Sequence, residues 1–146
     1  MRLDKLLPGS TGPGERSKRL TGRPRPLAGV RLLIAEDETL QALALADIID
    51  QFGGAVTAMA NHFEDAMEAA QDGEFDCAIL DVNLGGMLSF PIADRLQERG
   101  VPILFCTAYA DAAKVFAGKG PVAWLDKPTD KVALRDALLG LLMQVP

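Results

Sequence analysis

Five short apolar runs, VRLLIA (30–35), AVTAMA (55–60), CAILDV (77–82), VPILFCT (101–107) and VAWL (122–125), punctuate the chain. Between them lie segments whose apolar residues recur every three or four positions. A half-solvated strand would alternate apolar and polar residues, so continuous apolar runs predict strands buried on both faces, as in a parallel sheet covered by helices. The first helical segment carries Ala42, Leu45, Ile49 and Phe52 and is stopped by Gly53-Gly54. Residues 63–72 predict a short helix, residues 89–99 a helix closed by Gly100, and Leu134, Ala137, Leu138, Leu141 and Leu142 one face of a closing helix. Residues 110–119 (ADAAKVFAGK) are long enough only for a short helix. Five such β/α units place the chain in the α/β class, with a five-stranded parallel sheet flanked by helices.

The 146 residues fit one domain, and 49% hydrophobic content agrees with a packed core. Residues 1–27 stand apart: GSTGPGERSKRLTGRPRP is crowded with Gly, Pro, Ser and Arg and has no sustained period, which predicts a basic, disordered extension ahead of a domain spanning 28–146. That extension holds seven Lys/Arg against Asp4 and Glu15, a net +5, which leaves −10 of the overall −5 for the rest. An acidic body speaks against direct nucleic-acid binding, since phosphate contacts need a basic surface. No apolar run approaches the ~20 residues of a membrane helix, and no signal peptide precedes the domain, so a cytoplasmic protein without a membrane partner is expected. Cys77 and Cys106 sit inside apolar runs without metal-ligand spacing and read as buried thiols.

In open parallel sheets the ligand site lies beyond the carboxyl ends of the strands. There the first run delivers Glu36 and Asp37, the third Asp81, the fourth Thr107, and the fifth Lys127 followed by Pro128. Two unpaired carboxylates ~4 Å apart repel by roughly 4 kcal/mol at an effective dielectric near 20, so the cluster calls for a cation. Converging carboxylates suit Mg²⁺, which binds through carboxylates, waters and phosphate oxygens. A carboxylate beside such an ion can act as a nucleophile toward a phosphoryl group, and Asp81 is the best placed. Charge on the transferring oxygens would be met by the metal, the Lys127 ammonium, the Thr107 hydroxyl and backbone N–H groups of adjacent loops.

The order acidic pair, Asp, Thr, Lys-Pro, as it stands in IAEDE, LDVNLGG, FCTAY and WLDKPT, resembles the receiver domain of bacterial two-component response regulators over residues 29 to 146. The resemblance implies a flavodoxin-like receiver fold of strand order 2-1-3-4-5 and phosphorylation of Asp81 by a histidine kinase or histidine phosphotransfer protein. It further implies that Asp37 and Asp81 bind Mg²⁺, that Glu36 helps through water, and that the backbone carbonyl of Asn83 adds a ligand. Thr107, Ala108 and Lys127 would bind the phosphoryl group, Thr107, Tyr109 and Trp124 would form the switch, and the Lys127–Pro128 bond would be cis. His62, the only histidine, reads as a solvent-facing residue at a helix start.

FCTAY and DVNLGG are also similar, in part, to the FATGUY type of single-domain receiver, with Ala108 in place of Gly, Thr129 in place of Phe, and Glu36 in place of the commoner Asp. The interval from Thr107 to Lys127 is short for a receiver, so its helix is expected to be short or shifted. The last strand and helix, with that helix, are the surface through which the family suggests a homodimer. The expected role is a stand-alone phosphoacceptor regulator that signals by protein contacts or phosphorelay, with no external substrate. Retention of the full charged set favours this over a receiver-fold module that binds partners independently of phosphorylation. A Mg²⁺-dependent phosphatase comes third, because no second general acid or base is evident.

Overall fold

The computed structural model describes residues 24–108, 111, 116, 118 and 120–144. Its elements run β1 (Arg31–Ala35), α1 (Thr39–Gln51), β2 (Ala55–Ala60), α2 (Phe63–Asp72), β3 (Cys77–Leu80), β4 (Asn83–Leu84), β5 (Met87–Leu88), α3 (Phe90–Glu98), β6 (Ile103–Thr107), β7 (Val122–Asp126) and α4 (Lys131–Leu142). The main sheet has the order β2-β1-β3-β6-β7, with every pairing parallel. Setting aside the two-residue strands β4 and β5, this is the order 2-1-3-4-5.

The central strands β1, β3 and β6 are almost wholly apolar and buried because both faces are covered, whereas the edge strand β2 leaves alternate residues exposed and β7 is only partly buried. Leu33, Ala35, Ala78, Leu80, Ile103 and Phe105 face one layer, where Ala66 and Ala70 of α2 and Ile92, Ala93 and Leu96 of α3 meet them. Leu32, Ile34, Cys77, Ile79, Leu104 and Cys106 face the other, against Ala42, Leu45 and Ile49 of α1 and Leu134, Leu138 and Leu141 of α4. Each fully buried Leu or Ile contributes roughly 1.5–3 kcal/mol of transfer free energy, so these two layers dominate the stability. Arg99 ties α3 to α2 by donating from Nη1 to the carbonyls of Ala70 (2.8 Å) and Gly73 (2.6 Å) at the end of α2, groups that the helix itself leaves unbonded.

Several boundaries differ from the sequence expectation. β3 ends at Leu80, two residues early, as the chain turns outward at Asp81. β6 starts only at Ile103, since Pro102 has no N–H to give the ladder, and β7 runs on to Asp126. The β4–β5 hairpin was not foreseen: Gly85 (φ 61°) and Gly86 (φ 93°) form its two-residue turn, a conformation that glycine adopts without strain. At the N-terminus, Leu27 is fully buried and its N–H donates to the Phe52 carbonyl at 2.9 Å, although the sequence placed it in the extension. Residues 1–23, Tyr109 and most of the expected helix over 110–119 lie outside the described residues. Phe116 of that segment is described, and its ring stacks on Phe90 (5.6 Å) and meets Phe105 edge-on (5.7 Å).

Candidate functional site

The carboxyl ends of β1, β3, β6 and β7 converge because the four strands are neighbours in register. The Asp81 N–H donates to the Ala35 carbonyl at 3.0 Å, so Asp81 emerges beside Glu36 and Asp37. The Lys127 N–H donates to the Thr107 carbonyl at 3.1 Å, which turns the lysine side chain back over the end of the sheet. Lys127 Nζ then donates to Asp81 Oδ2 at 2.8 Å and to Glu36 Oε1. The cationic partner that the carboxylate cluster demanded is therefore supplied in part by the chain itself.

Glu36 is 2% exposed, and burial raises its pKa above the ordinary glutamate value, although Lys127 and the Glu38 N–H (3.1 Å to Oε2) act against the rise. Burial likewise works against the Lys127 ammonium, but its bonds to Asp81 and Glu36 prevail and raise its pKa. Asp37 is exposed and accepts from the Gly85 N–H at 3.1 Å, which joins the hairpin turn to the start of α1. The Asn83 N–H approaches Asp81 Oδ1 at 3.4 Å, while Asn83 Oδ1 accepts from the Gly86 N–H at 2.7 Å.

Glu36, Asp37 and Asp81 each offer a carboxylate oxygen, and these atoms lie within 4.8 Å of one another. No sulfur or imidazole belongs to the group. An all-oxygen, anionic donor set fits a hard divalent cation such as Mg²⁺ better than zinc or copper. Around it opens a cleft of about 860 Å³, lined by Asp37, Asp81, Asn83, Ala108 and Lys127, and on its apolar side by Ala44, Leu45 and Ile48 of α1 together with Pro128. The Lys127–Pro128 peptide bond is cis. Thr107 is fully buried at the end of β6, and Ala108 beside it is exposed in the cleft.

Trp124 does not reach the same point along its strand: the register sets it opposite Phe105, and Asp126 opposite Thr107. Its ring is partly buried against the layer that holds Phe105, and its indole Nε1 is buried without an acceptor among the described residues. His62 is exposed as the residue preceding α2, away from the cleft. Two features of the site escaped the sequence reading. The Gly85-Gly86 turn could have been found, since a glycine pair between short apolar segments is a hairpin signal. The bond from the Ser89 hydroxyl to the Asp81 carbonyl (2.5 Å) could not, because a serine before a helix reads as an ordinary cap.

Comparison with known proteins places the chain by family and fold. The family model for the response regulator receiver domain matches residues 32–139. The chain is 34% identical over 121 residues to the transcriptional regulatory protein TcrA of Mycobacterium tuberculosis, covering 80% of this chain and 45% of that protein. It is 30% identical over 113 residues to a positive alginate biosynthesis regulatory protein of Pseudomonas aeruginosa, covering 75% and 46%. The chain thus spans about half the length of these curated relatives. Among solved structures, the receiver domain of the PhyR response regulator from Erythrobacter litoralis superposes with a TM-score of 0.70 at 24% identity, over 80% of this chain and 92% of that one. A response regulator receiver protein from Sinorhizobium medicae gives 0.71 at 23% identity, over 80% and 97%, which is a likeness of fold. With carboxylates, lysine and threonine gathered at one end of a 2-1-3-4-5 sheet and a family model spanning most of its length, the chain belongs to the response regulator receiver domain family.

Proposed function

We propose that the domain accepts a phosphoryl group on Asp81 from a phosphohistidine of a histidine kinase or phosphotransfer protein, and signals through protein contacts that change with that modification. The observation that carries this reading is the pairing of Asp81 with Lys127 inside a cluster of oxygen donors at the mouth of an open cleft. An Asp81 carboxylate oxygen attacks phosphorus, the O–P bond forms as the N–P bond breaks, and the imidazole leaves with that electron pair and takes up a proton. Lys127 would pass one of its N–H donors from the carboxylate to a phosphoryl oxygen, while the Thr107 hydroxyl and the Ala108 backbone N–H would meet the others. Glu36, Asp37, Asp81 and the Asn83 carbonyl would hold Mg²⁺, which when bound neutralises charge on the transferring oxygens. Water reaching the same phosphorus would later return Asp81 to a carboxylate, so turnover is confined to the protein's own modification.

The apolar wall of Ala44, Leu45 and Ile48, continued by exposed Leu40 and Leu43 on α1, offers a donor protein a surface beside Asp81. Trp124, the only tryptophan, is the natural reporter. Its fluorescence is expected to respond to Mg²⁺ and again to beryllofluoride, a phosphoryl mimic, with the second step lost in Asp81→Asn. A beryllofluoride response that survives unchanged in the variant would refute Asp81 as the acceptor and favour a module acting without phosphorylation.

A further inference from the structure

Ser89 stands immediately before α3, where a serine side chain ordinarily caps the helix by accepting from its first N–H groups. Here it makes no such bond. Its hydroxyl turns backward and donates to the main-chain carbonyl of Asp81 at 2.5 Å, and its own N–H donates to the Val82 carbonyl at 2.8 Å. The helix keeps its first turn without the side chain, through the Ser89 carbonyl, which accepts from Ile92 (2.9 Å) and Ala93 (3.0 Å).

Two bonds from one residue therefore close the loop 82–88, the segment that carries Asn83 and the turn donating to Asp37. The backbone of Asp81 is gripped on both sides, by Ala35 at its N–H and by Ser89 at its carbonyl. Ser89 is fully buried, so no water can stand in for the hydroxyl without the interior opening. The next residue, Phe90, packs edge-on to Phe105 of β6 at 5.9 Å, which anchors the start of α3 on the sheet.

We propose that Ser89 is a positioning residue for the phosphoryl acceptor, fixing the Asp81 backbone so that the carboxylate presents an oxygen to phosphorus in line with the leaving group. The inference rests on the phosphoacceptor reading and extends it to a residue outside the charged set. An acceptor free to rock by a fraction of an ångström keeps its charge and its partners but loses the aligned geometry, which lowers the limiting rate and not the affinity for the donor.

The test follows phosphoryl uptake from acetyl phosphate by intact mass at saturating Mg²⁺, in wild type, Ser89→Ala and Ser89→Thr, each verified as folded by circular dichroism. Ser89→Ala is expected to lower the limiting rate roughly tenfold while the half-saturating donor concentration stays within about twofold. Ser89→Thr keeps the hydroxyl and is expected to recover most of that loss. A wild-type limiting rate in Ser89→Ala, a change confined to half-saturation, or a folded Ser89→Thr as slow as the alanine variant would each overturn the proposal. Should the added methyl prevent Ser89→Thr from folding, the alanine variant decides alone by the same rate criterion. A wild type that gains no phosphoryl group would instead refute the phosphoacceptor reading itself, which separates the two failures.

Discussion

Lys127 Nζ reaches Asp81 Oδ2 at 2.8 Å across 46 residues of chain, and with its second bond to Glu36 it pairs with two of the three clustered carboxylates while offsetting one unit of their charge. The side chains of Lys127, Glu36 and Asp81 are mostly buried, so this is an ion-paired network in which each member depends on the others.

Lys127→Met should therefore leave Glu36 and Asp81 close together without their cation. In EDTA at neutral pH we expect a stability loss of about 2–4 kcal/mol by urea denaturation. The deficit should shrink with acid. Burial already raises the folded-state pKa of Glu36, so its protonated form favours folding; that contribution is full below the unfolded value and is lost as pH rises through the folded one. Removing Lys127 moves the folded pKa further up, and a deficit that grows on acidification would contradict the assignment.

The Gly86→Ala variant tests the hairpin. A Cβ at Gly86 meets no neighbour within 4 Å, but its φ of 93° is one that other residues seldom adopt, so the expected cost is about 1–2 kcal/mol of backbone strain. Because the same turn delivers the Gly85 N–H to Asp37, Mg²⁺ affinity measured by calorimetry should fall as well. Unchanged affinity would show that the hairpin does not organise the acidic group.

Burial pushes the thiols of Cys77 and Cys106 up to about 12. At pH 8 only about one thiol in 10⁴ would then be ionised, and the thiolate is the reactive form. Ellman's reagent should accordingly react only as fast as the protein unfolds, with acceleration on adding urea. Prompt native reactivity of either cysteine would place it outside the core.

Arg31 donates from its backbone N–H (2.8 Å) and from its guanidinium (3.1 Å) to Asp76 Oδ2, pinning the start of β1 to the residue before β3. The side-chain bond to Arg31 holds the Asp76 pKa below the ordinary aspartate value. A depressed folded-state pKa contributes stability that is present above the unfolded value near 4 and lost as pH falls through the folded one. The stability gap between wild type and Asp76→Asn should thus be open at pH 7 and close on acidification; a gap independent of pH would show that the carboxylate charge plays no part.

The sheet was legible because its three central strands are buried on both faces and the edge strands β2 and β7 are still mostly apolar, so apolar runs marked all five from VRLLIA to VAWL, although β2 turned out to expose alternate residues. The charged residues of the site stood out for the converse reason, since Glu36, Asp81 and Lys127 interrupt or follow those runs at the one end where a parallel sheet binds ligands. What the sequence could not show was connection. Lys127 was expected to wait for a phosphoryl oxygen, whereas the fold already gives it two carboxylates. The backward bond of Ser89 and the burial of Leu27 depend on contacts with residues distant in space, and neither leaves a periodic trace.

The most direct measurement is the intact mass of wild type and Asp81→Asn after incubation with acetyl phosphate and Mg²⁺. The account predicts a gain of one phosphoryl group in wild type, reversed on standing, and no gain in the variant. No gain in wild type, or an equal gain in Asp81→Asn, would contradict it.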